Sequence, residues 1–213
     1  MRKIITISRE FGSGGRELGK RLAEALGMAY YDREIVTALA EKSGLAEEYI
    51  ENVSERGIPR YYPITYARTF TRLPAFSEPH MKVLNEQNRL LLELAGKSDC
   101  VIVGRCADVI LREYQPLKLF VYASPESKMQ RCRLREEEGR HYTDRELKRR
   151  MAQIDSGRAR YRELTDGNKW GEKSGYHLCI NTTELEIKSL VGAVCEFASC
   201  YFDEKKQGMR ENH

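Results

Sequence analysis

Ile4-Ile5-Thr6-Ile7-Ser8-Arg9-Glu10-Phe11-Gly12-Ser13-Gly14-Gly15-Arg16-Glu17-Leu18-Gly19-Lys20 decides the fold. A β-branched run passes through a glycine-rich turn into an amphipathic helix, whose Leu18, Leu22 and Leu26 recur every four residues. Glycines let backbone N–H groups close around an anion, and the helix N-terminus adds partial positive charge. The stretch therefore predicts a phosphate cradle made of Gly12, Ser13, Gly14, Gly15, Arg16 and Glu17.

A working phosphate loop reads G-x-x-x-x-G-K-[ST], with the lysine on the transferred phosphates and the hydroxyl on Mg²⁺. Here Gly15 stands at the lysine position and Glu17 at the hydroxyl position. A second register, Gly14 through Gly19-Lys20, begins too far from the strand and consumes Leu18 from the helix face, so the first is preferred. Arg16 and Lys20 are the candidates for the missing positive charge. Glu17 is the candidate Mg²⁺ ligand.

Working outward, short apolar runs at Ala29–Tyr31, Cys100–Gly104, Leu117–Tyr122 and Tyr176–Ile180 read as strands separated by helical patterns. Gly27 ends the first helix, and Asp32 is placed to cap the next, starting at Arg33. A further helix is expected near Met81–Gly96. Ser124-Pro125 opens another, and Thr143–Glu146 and Thr183–Glu186 have the capping-box pattern. Alternating strands and helices predict a three-layer αβα architecture with a parallel five-stranded sheet and a ligand at the strand carboxyl ends. Residues 1–202 read as one domain, and polar residues 203–213 as a flexible tail.

Overall composition is that of a water-soluble chain: 213 residues, 41% hydrophobic and 32% charged, with a net charge of +4. The charge is concentrated, because residues 128–162 hold twelve Lys or Arg against six acids. Such a window suits a lid closing over phosphates, with Arg131 at one end and Asp155, Arg158 and Arg162 on one helix face. A solvated basic helix is the plain alternative. Nucleic acid is disfavoured as a partner because no recognition motif accompanies the charge. Six cysteines without a C-x-x-C pair read as reduced thiols, and no run reaches membrane-spanning length, so a cytoplasmic location is expected. Arg105, directly after a buried strand, is placed at the sheet's carboxyl edge, where a guanidinium fork suits a phosphate.

Ile7–Arg16, Tyr30-Tyr31-Asp32-Arg33-Glu34, Val103-Gly104-Arg105, Asp155 with Arg158 and Tyr161, and Tyr176–Asn181 together resemble the cytidylate kinase-like family. The resemblance runs from Ile4 to about Phe202 and implies a P-loop kinase type of fold. It further implies that Gly12–Arg16, Glu17 and Arg131 hold ATP with Mg²⁺ at Glu17. Asp32, Arg105, Asp155 and Arg158 would face the acceptor, Arg16, Arg105 and Arg158 would carry transition-state charge, residues 55–78 would form an acceptor-binding insertion, and 131–162 the lid. The expected activity is phosphoryl transfer to a nucleoside monophosphate or another small phosphorylated acceptor, by a monomer or homodimer. A nucleotide-binding sensor without turnover is the alternative, since both the loop lysine and hydroxyl of true cytidylate kinases are missing.

Overall fold

In a computed structural model, the chain is described for residues 2–32, 34–43, 47, 50, 78–135 and 142–211. The 55–78 insertion, up to its last residue, and positions 136–141 of the lid window lie outside the described residues.

The opening stretch folds as its pattern demands. Strand β1 (Ile4–Arg9) is buried along its whole length and leads through the glycine turn into α1 (Gly15–Leu26), which Gly27 ends in the left-handed region. There follow β2 (Ala29–Tyr31), α2 (Glu34–Ser43), α3 (Glu78–Lys97), β3 (Cys100–Val103) and the short α4 (Ala107–Ile110). Then come β4 (Leu117–Tyr122), α5 (Pro125–Arg133), α6 (Asp144–Asp166), β5 (Leu178–Asn181) and α7 (Ile187–Glu211).

The five strands are parallel in the order β2-β3-β1-β4-β5. Successive side chains on a strand point to opposite faces, and both faces here are covered. Ile5, Ile7, Val101, Val103, Leu119 and Val121 pack with Leu18 and Leu22 of α1 and with Ile187, Val194 and Phe202 of α7. Ile4, Cys100 and Ile102 face the other way, against Ile35 and Leu39 of α2, Leu90 and Leu91 of α3, and Leu111. This is the expected three-layer arrangement. β1 lies at the centre of the sheet, so its carboxyl end delivers the glycine loop to the middle of one edge.

Two expectations change. Thr183–Glu186 forms no capping box: Thr183 Oγ1 donates to Asn181 Oδ1 and accepts from Ser124 N–H, Glu184 has φ of 58°, and α7 starts only at Ile187. α7 also continues as helix to Glu211, well past the boundary placed at 202. At Thr143 the capping box is complete, and Ser124 caps α5 with Pro125 in its first turn.

Candidate active site

At the carboxyl edge the chain turns after β1 by way of Gly12 (φ 77°) and Gly14 (φ 85°), conformations that cost other residues about 1–2 kcal/mol each. The turn is tied from several sides. Ser13 is fully buried and donates from Oγ to the Glu10 carbonyl, while its own carbonyl accepts from Thr182 Oγ1 at 2.7 Å. The Phe11 N–H donates to Asp155 Oδ1 at 2.8 Å. α1 then begins with no side-chain cap on its first N–H groups, which leaves the helix terminus suited to an anion.

A cleft of about 340 Å³ opens over this turn. Among the described residues, six arginines line it (Arg9, Arg16, Arg131, Arg135, Arg150 and Arg158), against the single carboxylate of Glu10. A smaller cavity of about 20 Å³ adjoins it and is lined by Arg105, Arg162, Cys106, Tyr161 and Trp170 among others. Arg9 and Arg158 line both spaces. The edge of Trp170 packs on the ring of Phe120 in β4, with centroids 5.3 Å apart.

Arg105 holds its place by an unusual backbone. Gly104, Arg105 and Cys106 all lie in the left-handed region (φ 80°, 61° and 50°), so the strand β3 turns abruptly and buries the arginine to 5% exposure. Its Nη1 donates to Gln87 Oε1 of α3 at 3.4 Å, and Gln87 Nε2 donates to the Tyr161 hydroxyl at 2.9 Å. Burial pushes the Cys106 thiol up to about 12, aided by the nearby Asp108 carboxylate, so the neighbouring cysteine stays protonated.

Other expected site residues are placed as follows. Arg16 is half exposed, lines the cleft, and bonds Asp32 Oδ2 from Nε at 2.5 Å. Asp32 is 3% exposed, and its carboxylate engages arginines from β1 and α1. Arg131 donates to the carbonyls of Thr182 and Leu185, joining α5 to the loop after β5. Burial and the neighbouring Arg135 lower its affinity for its proton, partly offset by Glu17. Arg158 donates to the Arg9 carbonyl (3.1 Å) and to Asp155 Oδ1 (3.2 Å).

Glu17, Asp155, Arg162 and Lys20 have surroundings that the sequence did not suggest. Glu17 does not fit a Mg²⁺ site as it stands: Oε1 pairs with Arg21 at 3.0 Å and Oε2 with Arg135 at 2.5 Å, so both oxygens already face cations. No cluster of three or more His, Cys, Asp or Glu suited to a metal occurs among the described residues. Asp155 is not among the described residues lining either space; burial raises its pKa against the opposing pull of Arg158, the Phe11 N–H and Lys128, and it anchors the loop. Arg162 lines the smaller cavity beside Arg158 but is engaged by acids, bonding Asp108 and pairing with Asp166 in a buried cluster. Lys20 lies exposed on α1, outside the cleft lining.

Sequence reasoning missed Gln87, Lys128 and Arg9. Lys128 Nζ bonds Glu10 Oε2 at 2.8 Å behind the loop, and neither it nor Gln87 belongs to a local motif that would single it out. Arg9 sat in plain view within Ser8-Arg9-Glu10.

A parallel sheet of order 2-3-1-4-5 with a glycine loop after its central strand, opening on an arginine-lined cleft, defines a P-loop kinase type of fold. Solved structures agree. An uncharacterized protein from Eubacterium ventriosum ATCC 27560 matches at a TM-score of 0.64 and 22% identity, covering 93% of this chain and 99% of that one. A gluconokinase from Sinorhizobium meliloti 1021 matches at 0.55 and 15% identity over 97% of both chains. A shikimate kinase from Acinetobacter baumannii, in complex with shikimate, matches at 0.51 and 16% identity over 94% and 95%. At these identities the likeness is one of fold. No curated protein sequence matches the chain. The chain belongs to the cytidylate kinase-like family, whose profile matches residues 4–184. Among the described residues no helix is long and apolar enough to cross a membrane.

Proposed function

We propose that this protein transfers a phosphoryl group from ATP to a small phosphorylated acceptor, with nucleoside monophosphates the first class to test. One observation carries the reading: the cleft over the glycine loop and the cavity beside Arg105 meet at Arg9 and Arg158. Two arginines common to both spaces lie where a phosphoryl group would pass from one to the other. Nucleotide phosphates fit the larger space, where the uncapped N-terminus of α1, Arg16 and Arg131 offer hydrogen-bond donors and positive charge. When bound, ATP would supply the terminal phosphoryl group.

The acceptor would enter from the Arg105 side. A phosphate oxygen is already an anionic nucleophile, so alignment and charge neutralisation carry the chemistry, and no strong general base is needed. Arg105 would clamp the acceptor phosphate while Arg158, fixed by Asp155 and the Arg9 carbonyl, would face the group in flight. Preset guanidinium groups of this kind stabilise developing charge without reorganising.

The test is ADP release from ATP in the presence of Mg²⁺ against a panel of nucleoside monophosphates and small phosphorylated metabolites, with Arg105→Ala alongside. Acceptor-dependent turnover that disappears in the variant is the expected result. ATP binding without turnover across the panel would favour the nucleotide-sensing alternative, which the loop's missing lysine supports.

A further inference from the structure

A standard phosphate loop carries its lysine where this chain has Gly15, and the packing there leaves a side chain no room. A Cβ on Gly15 would lie 2.6 Å from Cβ of Arg9 and 3.1 Å from its Cγ. Those are stem atoms next to the backbone, unable to swing aside. The stem of Arg9 thus fills the volume through which a lysine at position 15 would leave the loop. Further out, a Cβ on Gly104 would overlap Nη1 of the same arginine. Its Nη2 stands 3.9 Å from Asp32 Oδ1, which Arg16 holds from the opposite side. One glycine, Gly15, thus faces the stem of this arginine and another, Gly104, faces its guanidinium, and Arg9 lines both the cleft and the cavity.

We infer that Arg9 takes the place of the loop lysine. The essential cation comes from the last residue of β1, and Gly15 is glycine because both side chains cannot occupy the same space. This rests on the phosphotransferase reading above and names the residue that neutralises the donor's β- and γ-phosphates. In the transfer, the bond from the γ-phosphorus to the β–γ bridging oxygen breaks and a bond to the acceptor oxygen forms. Arg9 keeps its protons throughout, since a guanidinium does not titrate in this range. Its fork suits paired donation to phosphate oxygens, and the Asp32 carboxylate lies within ion-pair range of it.

The test is calorimetric titration of ATP, ADP and AMP into the full chain and three variants, with melting temperatures measured for each. Arg9→Met keeps the stem and removes the charge; Arg9→Lys restores a cation at the same place. The double variant Arg9→Gly with Gly15→Lys moves the cation to the standard loop position once both the Cβ and the Cγ of the stem are gone. Arg9→Met should bind ATP and ADP roughly tenfold or more weaker, the loss expected for a charge-assisted contact, with AMP much less affected. Arg9→Lys should lose less, and the double variant should regain much of the lost affinity. The inference is overturned if Arg9→Met binds ATP as the wild type does, if AMP suffers as much as ATP, or if the double variant melts normally yet stays as weak as Arg9→Met. Should Arg9→Met itself fail to fold, Arg9→Lys and the double variant decide by the same criteria. A wild type that binds no ATP overturns the phosphotransferase reading together with it; a wild type that binds while Arg9→Met is unaffected overturns the Arg9 assignment alone.

Discussion

Arg105 is buried and Arg158 partly buried, both at the sheet edge, yet they serve different spaces. Arg105 lines only the smaller cavity and is steadied by Gln87 from α3. Arg158 lines both spaces and also holds the Arg9 carbonyl. Substituting each by alanine should separate the two roles. Arg105→Ala is expected to reduce acceptor-dependent kcat/KM about 100-fold, on the order of 3 kcal/mol for charge-assisted contacts, while ATP affinity changes little. Arg158→Ala should weaken ATP binding and turnover together. Equal effects of the two variants on ATP affinity, measured by calorimetry, would remove the division into donor and acceptor sides. Residue identity alone suggested Arg105, because an arginine after a buried strand has few other places to go. It did not reveal Gln87 or Lys128, whose importance arises only when distant elements meet. Nor could it exclude Glu17 as a metal ligand, since Arg135 lies 118 positions away along the chain.

At the scale of elements, what was legible was whatever local chemistry controls. Strand runs, the glycine that ends α1, and the caps at Ser124 and Thr143 all depend on neighbours within a few residues. Thr183–Glu186 has the same sequence signature and fails, because Ser124 N–H and Asn181 take up the threonine hydroxyl before it can cap a helix. The contrast is testable. Thr143→Ala should cost about 1 kcal/mol by loss of the cap and lower Tm by roughly 2–4 °C for a chain of this size. A melt showing no change would mean that the start of α6 contributes nothing to global unfolding. The glycine turn invites a second comparison. Gly14 and Gly27 both have positive φ, but a Cβ on Gly27 meets nothing within 4 Å, whereas one on Gly14 would overlap Ile187 Cδ1 beneath the cleft. Gly27→Ala should therefore cost about 1 kcal/mol of backbone strain and leave ATP binding alone. Gly14→Ala should lower Tm further and weaken ATP binding, because the cradle must shift to seat the methyl group. If the two variants melt alike and bind alike, the turn is not a cradle.

For the whole molecule, the sheet order leaves β5 at an edge, and the last helix, packed on the sheet face beside α1, ties down the chain leading into β4 and β5. Tyr201 of α7 donates its hydroxyl to the Gln115 and Pro116 carbonyls, and its ring packs 4.6 Å from His177. Lys205 adds a bond to Gln115 Oε1 at 2.8 Å. His177, just before β5, joins that edge strand to β4: its N–H donates to the Lys118 carbonyl at 2.8 Å, and its Nδ1 accepts from the Lys118 N–H at 2.9 Å. That last bond requires an unprotonated Nδ1. Burial, with the ammonium groups of Lys118 and Lys205 nearby, lowers the histidine's pKa below its usual value of 6.5. The consequence for stability has a definite sign. With the folded pKa depressed, the unfolded chain takes up this proton first as the pH falls below about 6.5, so unfolding is favoured on the acid side. The contribution of His177 is complete above that pH and is lost as the pH falls toward the folded pKa. His177→Asn keeps an acceptor near the Nδ1 position and cannot be protonated. The melting temperature of the wild type should therefore exceed that of the variant by more at pH 7.5 than at pH 5.5, with the gap narrowing between them. Every other residue is common to the two proteins, so its contribution cancels in that difference. A gap independent of pH would show that the edge of the sheet is indifferent to this proton.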